Sequence, residues 1–187
     1  CLLAGLLCND SILVQKEGRW EAQGDPTEAA LIVAARKAGL EDAGLKSRLP
    51  RVDAIPFESQ HQFMATLHRD AAAGRTLVYL KGAVEVVLER CDAALDARGQ
   101  PLALDRGRIQ ERVAQLASAG LRVLAFARAE LPPDTQRLSV HHLPRNFTFL
   151  GLQGMIDPPR PEAIAAVAAC HRAGIQVKMI TGDHAGT

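Results

Sequence analysis

The sequence lacks most of what would tie a chain to a bilayer, a nucleic acid or an oxidising compartment. Its longest uninterrupted apolar stretches, residues 1–8 and 163–170, fall far short of the ~20 residues that cross a hydrocarbon core, so no membrane span is expected. Charge of one sign is missing too: 22 Lys and Arg stand against 21 Asp and Glu, a net charge of +1. No broad field draws such a chain to nucleic acid or anionic lipid; no nucleic-acid partner is expected, and any bound anion has to be held by a local site. Cysteine is sparse, and Cys1, Cys8, Cys91 and Cys170 form no C-x-x-C pair, which points to reduced, mostly buried thiols and away from zinc or a disulfide framework. The histidines are scattered, and His141-His142 lacks the helical spacing of a metal pair, so no metal site is assigned. The G-x-x-x-x-G-K-[ST], G-x-G-x-x-G and G-x-S-x-G patterns are all absent, which removes the common P-loop, dinucleotide and serine-hydrolase readings. Neither an initiator Met nor basic residues precede the first apolar run, so the sequence is expected to be an excised piece and not the start of a secreted protein.

What is present describes a chain that folds. Hydrophobic residues make up 48% and charged residues 23% of the 187 positions, an ordinary globular balance in a length that suggests one domain with an appended piece. Residues 1–9 read as the end of an apolar helix, and 12–15 and 19–22 as two short strands joined across Lys16-Glu17-Gly18. Asp25-Pro26-Thr27-Glu28 has the form of a helix start, with Asp as N-cap, Pro in the first turn and Glu as the distal half of a capping box; the helix runs to Gly39. Extended runs at 51–57, 62–69 and 75–80 suggest an antiparallel meander. A helix at 83–91, a turn at 96–99, an amphipathic helix at 105–119 closed by Gly120 and a strand at 121–127 come next. This mixture lacks a regular βαβ rhythm and favours an α+β domain with a mostly antiparallel sheet flanked by helices.

The Pro- and His-bearing segment 131–145 marks a change of texture, and a domain boundary is placed at its end, dividing the chain into 1–145 and 146–187. Beyond it, a strand at 147–156, a helix at 161–173 stopped by Gly174 and a strand at 175–180 spell one βαβ unit. A single such unit cannot cover both faces of a parallel sheet, so it is read as part of a larger domain.

Several short motifs admit a chemical and a purely structural reading. Thr181-Gly182-Asp183 follows an apolar strand at the carboxyl end, where open α/β sheets bind ligands; it suits phosphate or magnesium, or simply caps the next helix through Asp183. Asp157-Pro158-Pro159-Arg160 either holds a phosphate oxygen on Arg160 or opens a helix with a solvated Arg. Phe57, in Ile55-Pro56-Phe57, either offers a ring to a planar ligand or belongs to the core. Lys81 ends a strand next to Gly82, which permits close approach of a ligand; the alternative is a solvated Lys beside a turn. Arg122, at a strand start, reaches either a phosphate or a carboxylate.

Taken in order, Cys8-Asn9-Asp10-Ser11, Gly24-Asp25-Pro26-Thr27-Glu28, Pro56-Phe57, Lys81-Gly82-Ala83, Leu121-Arg122-Val123-Leu124-Ala125, Asp157-Pro158-Pro159-Arg160 and Met179-Ile180-Thr181-Gly182-Asp183 resemble the signatures of P-type cation-transporting ATPases, in the flavour of bacterial relatives of the calcium and sodium-potassium pumps. The resemblance implies that residues 1–145 form the nucleotide-binding domain and 146–187 part of the Rossmann-like, haloacid-dehalogenase-type phosphorylation domain. It implies ATP as ligand, with Phe57 stacked on adenine, Glu28 near the base's amino edge, Lys81 and Gly82 lining the pocket and Arg122 toward the phosphates. Asp157, Arg160, Thr181, Gly182 and Asp183 resemble residues that gather phosphate and Mg2+ around a phosphorylated Asp that lies outside this chain. Family members usually carry a Lys five residues beyond the Phe; here Gln62 stands, with Gln60 and His61 in the same turn. The implied setting is a cytoplasmic domain of an integral membrane pump of a bacterial inner or plasma membrane, working with phosphorylation, actuator and transmembrane domains of the same protein. On this basis the fragment alone is not catalytic; ATP hydrolysis and cation translocation belong to the intact enzyme. A stand-alone nucleotide sensor or interaction module is the alternative, and a dimer formed through the C-terminal segment is expected if its strands lack partners.

Overall fold

The computed structural model describes residues 1–40, 42–157 and 160–178. A seven-stranded sheet carries the molecule, with strands 51–58, 63–70, 75–82, 122–131, 147–155, 91–95 and 101–103 side by side in that order, and a separate two-stranded hairpin pairs 12–16 with 19–23. The chain opens with α1 (Leu2–Leu7), then β1 (Ile12–Lys16) and β2 (Arg19–Gln23). Glu17 and Gly18 both have positive φ, +49° and +79°, which gives the tight mirror-image turn that matches the twist of paired strands. Next come α2 (Pro26–Lys37), α3 (Asp42–Arg48) and the meander β3 (Arg51–Glu58), β4 (Phe63–Asp70) and β5 (Arg75–Gly82). The chain continues through α4 (Val84–Glu89), β6 (Cys91–Leu95), β7 (Pro101–Ala103), α5 (Arg106–Ser118), β8 (Arg122–Leu131), β9 (Phe147–Met155) and α6 (Pro161–Arg172).

Because side chains alternate across a strand, β4, β5 and β8 feed two cores at once. Ala65, Leu67, Val78, Leu80, Ala125 and Ala127 meet Val84, Val87 and Leu88 of α4 on one face, with Ile109 and Val113 of α5 packed beside them. On the other face Met64, Leu77, Tyr79 and Phe126 lie under Ala4 and Leu7 of α1 and Leu31 of α2. Leu6, Ile32 and Ala35 extend that second layer outward and seat Leu13 of the hairpin. The sheet is therefore sandwiched between helices, and its central strands are buried on both sides.

The sheet is mixed, which corrects the mostly antiparallel one expected. β6 runs parallel to β9, with Cys91 opposite Phe147 and Ala94 opposite Phe149. Nothing local announces β6: Cys-Asp-Ala-Ala-Leu has no β-branched or aromatic residue, and only its neighbours on the sheet make it a strand. The sequence places a strand at 147–156 as the start of a separate βαβ unit. That strand instead lies inside the main sheet, antiparallel to β8 from Arg122–Met155 to Arg128–Thr148. The ladder shifts register between Phe126 and Ala127, at Gly151 with φ +137°, and Phe149 and Leu152 both face the α4–α5 core. Residues 175–178 form no strand, so the Rossmann-like unit is not seen among the described residues.

Candidate functional site

A cleft of about 400 Å³ opens on the α1–α2 face of the sheet. Its wall is assembled from distant stretches: Asp10 and Ser11 before β1, Gly24, Asp25, Thr27 and Glu28 around the start of α2, Pro56 and Phe57 at the end of β3, Met64 of β4, Lys81 and Gly82 of β5, and Arg122 and Leu124 of β8. Glu28, Phe57, Lys81, Gly82 and Arg122, singled out in the sequence, thus come together around one space. Asp157 and Arg160 stand elsewhere and are exposed, Arg160 as the N-cap residue of α6. Thr181, Gly182 and Asp183 lie outside the described residues.

Phe57 is 56% exposed, the opposite of a core residue. The β3–β4 ladder slips between Ile55 and Glu58, and Pro56 brings no N–H of its own to the ladder. The ring therefore stands at the mouth of the cleft, whereas Ile55 is buried in the α4-side core. An exposed aromatic beside a concavity is suited to stack on a planar ligand.

Lys81 is 5% exposed and forms an ion pair with Glu28, Nζ to Oε1 at 2.5 Å. A solvated Lys is thus excluded. Glu28 departs from its expected role as well. The side chain of Asp25 accepts the backbone N–H of Glu28 at 3.1 Å, the first half of a capping box. The Glu28 carboxylate turns away from the cap to the preceding loop, where Oε2 accepts the backbone N–H groups of Asp10 at 2.9 Å and Ser11 at 3.1 Å and the Ser11 hydroxyl at 3.3 Å. An acid in the first turn of a helix, one that also neutralises a buried ammonium, is a fixed element of the wall.

The two glycines in the wall serve the protein before any ligand. A Cβ on Gly82 would collide with the Gln62 carbonyl and come within 2.8 Å of Phe63 Cα, because Phe63 and Gly82 are paired at the end of the β4–β5 ladder. Gly24, at φ +113°, leaves room for the Ser11 hydroxyl, which a Cβ would strike. Gln62 sits in the left-handed region at φ +56°. It closes a turn in which the N–H groups of His61 and Gln62 donate to the Glu58 carbonyl at 3.0 and 2.8 Å. Gln60 donates to the Glu58 carboxylate at 2.7 Å and lies 3.2 Å from the His61 ring. The side chains of Glu58, Gln60 and His61 are thus engaged with one another.

Cleft residues to which sequence reasoning gave no ligand role are Asp10, Ser11, Gly24, Asp25, Thr27, Pro56, Met64 and Leu124. All of them except Met64 sit inside the motifs quoted from the sequence. Below the cleft, Cys8 is fully buried with its thiol pushed up to about 11 by desolvation. Among the described residues no group of His, Cys, Asp and Glu side chains comes together as a metal site, and no helix is long and apolar enough to cross a membrane.

The family profile described as P-type ATPase, cytoplasmic domain N, matches residues 1–162. The chain is 56% identical over its whole length to the cation-transporting ATPase pma1 of Synechocystis, covering 20% of that protein. It is 49% identical, again over its whole length, to the probable cation-transporting ATPase F of Mycobacterium tuberculosis, covering 20% of it. Identity to the calcium-transporting ATPase of Bacillus subtilis is 36% over the whole chain and 21% of the relative. The chain spans about a fifth of the length of these relatives, and it belongs to the family of the cytoplasmic N domain of P-type ATPases.

Proposed function

We propose that this chain is the nucleotide-binding part of a cation-transporting P-type pump and that ATP occupies the cleft between α2, β3, β5 and β8. The observation that carries this reading is the meeting of Glu28, Phe57, Lys81, Gly82 and Arg122 at one concavity, although they come from four separate elements. The exposed Phe57 ring stacks on adenine. The ammonium of Lys81 has one N–H engaged by Glu28 and two left for ligand acceptors. Arg122, exposed at the start of β8, supplies a fork of donors to the phosphates. In the intact pump this arrangement presents the γ-phosphate to a phosphorylation-domain Asp that lies outside this chain. The contribution made here is positioning, the larger part of catalysis in phosphoryl transfer.

Asp157, Arg160, Thr181, Gly182 and Asp183 are assigned, on the same reading, to the phosphorylation domain on the C-terminal side. The division between the two domains then falls after β9, near 156–160, and not at 145, since β9 is a strand of the main sheet. The described residues offer no group of His, Cys, Asp and Glu side chains that fits a resident Mg2+. With only the positioning half in hand, the isolated chain binds ATP at about 0.1–1 mM, or roughly −4 to −5.5 kcal/mol.

An amide-shift NMR titration with ATP tests the proposal. Saturable shifts are expected around Phe57, Lys81 and Glu28, and Phe57→Ala is expected to weaken binding about tenfold or more, the scale of one base–aromatic stack. Equal binding of ATP and GTP that survives Phe57→Ala would show that the cleft is not an adenine site.

A further inference from the structure

The loop between α1 and β1 is tied into the cleft by one side chain that does not line it. Asn9 is 7% exposed. Its Nδ2 donates to the Gly5 carbonyl at 3.0 Å, in the last turn of α1, and to the Glu28 carbonyl at 2.8 Å, in the first turn of α2. Its Oδ1 accepts the backbone N–H of Ser11 at 2.9 Å. Every hydrogen-bonding atom of the Asn9 amide is used, and the partners lie on two helices and the loop itself. From the opposite side Arg51 of β3 grips the loop through the Asn9 carbonyl at 3.3 Å and the Asp10 carboxylate at 2.6 Å.

The held loop is the one that anchors Glu28. Both backbone amides donated to Glu28 Oε2 come from Asp10 and Ser11, and the Ser11 amide is shared between Asn9 Oδ1 and Glu28 Oε2. Oε2 is occupied by the loop, which leaves Oε1 aimed at Lys81. The direction of Oε1 fixes the direction of the Lys81 ammonium and hence of its two remaining donors. We propose that Asn9 is a positioning residue of the cleft, acting on the bound nucleotide through Glu28 and Lys81 without touching it.

The chemistry makes Asn the residue required. Asp at this position keeps an acceptor for the Ser11 amide but has no N–H for the carbonyls of Gly5 and Glu28, and it places a second negative charge close to Glu28. Ala removes all three bonds.

The nucleotide part of this inference rests on the ATP reading above, and the experiment separates the two. In the full chain, Asn9→Ala and Asn9→Asp are compared with wild type, tracking ATP affinity in a wild-type and in a Lys81→Met background and the 15N signal of the Lys81 ammonium in the wild-type background. Thermal unfolding is measured in parallel to identify variants that remain folded. Asn9→Ala is expected to weaken ATP about fivefold in the wild-type background and less than twofold beside Lys81→Met, since the effect has to pass through Lys81. The Lys81 ammonium signal is expected to broaden or shift in both Asn9 variants before any nucleotide is added. A purely structural Asn9 would lower the melting temperature, weaken ATP equally in both backgrounds and leave the Lys81 signal of the folded protein in place; that result overturns the proposal. If wild type binds no ATP while the Lys81 signal still responds to Asn9, the nucleotide reading fails and the positioning of Lys81 by Asn9 stands.

Discussion

At the scale of single residues, the buried polar groups divide between those that shape the cleft and those that only satisfy the fold. His68 belongs to the second kind. Its Nδ1 lies 2.9 Å from the Leu49 carbonyl, which can only accept, so Nδ1 carries the proton and Nε2 accepts from the Thr66 hydroxyl at 2.9 Å. Burial lowers its pKa from the ordinary 6.5. The unfolded chain therefore binds a proton in a range where the folded chain does not, and stability rises with pH there. The contribution of neutral His68 is present above about pH 6.5 and is lost as pH falls below it toward the depressed folded value. Thermal unfolding at pH 7.5 and 5.5 should show a lower melting temperature at the acid end, with a smaller drop in His68→Gln. An equal drop in both proteins would assign the acid sensitivity to other groups.

The same scale shows what the sequence can and cannot reveal of the site. The positions of Phe57, Lys81 and Arg122 were readable because each stands at the end of a recognisable strand, where a side chain meets open space. The partner of Glu28 was not readable. Its place three residues after Asp25 explains a cap fully, and only the tertiary fold brings β5 and the 9–11 loop against its carboxylate. Asn9 left no chemical signal of its own, since a buried Asn bridging two helices looks in sequence like any loop Asn.

At the scale of elements, strong local signals survived and weak ones did not. The α2 start is set by Asp25 and Pro26 and the α5 start by Asp105, whose side chain accepts the Arg108 N–H; both were legible from cap residues alone. α3, β6 and β7 were missed because they are short and carry little periodicity, and β6 is sustained by its neighbours β9 and β7. Gly82 illustrates how pairing overrides a local reading. Next to Lys81 it suggests room for a ligand, but its missing Cβ is needed by the backbone at Gln62 and Phe63. Gly82→Ala should destabilise the chain by about 1–3 kcal/mol through overpacking. Gly44→Ala, in α3 with nothing within 4 Å of the added Cβ, should stabilise it by up to about 1 kcal/mol through helix propensity. Urea unfolding with an unchanged slope checks both, and a neutral Gly82→Ala would mean that the β4–β5 end yields without cost.

At the scale of the whole molecule, the sheet and its two helical layers are complete by Met155, and the segment beyond that residue is built differently. α6 begins correctly, with Pro161 in its first turn and Glu162 beside the helix N-terminus, yet it contributes no buried residue. Ile164 and Val167 on the helix are 57% and 39% exposed, and Ile175 and Val177 after it are 57% and 43% exposed. Apolar side chains at helical spacing are selected for burial, so this face is suited to cover that the described residues do not supply. The strand at 147–155 cannot drive association, because it is already paired on β8 and β6, so the dimer expected from the sequence narrows to α6 and the residues after it. At about 0.1 mM the isolated chain should then sediment as a reversible dimer whose population obeys mass action. A chain ending at residue 157 should sediment as a monomer with a melting temperature within a few degrees of the parent, since it retains every described strand and both cores. A monomeric parent would remove self-association from the account, whereas a dimeric truncated chain would move the contact to another face of the sheet domain.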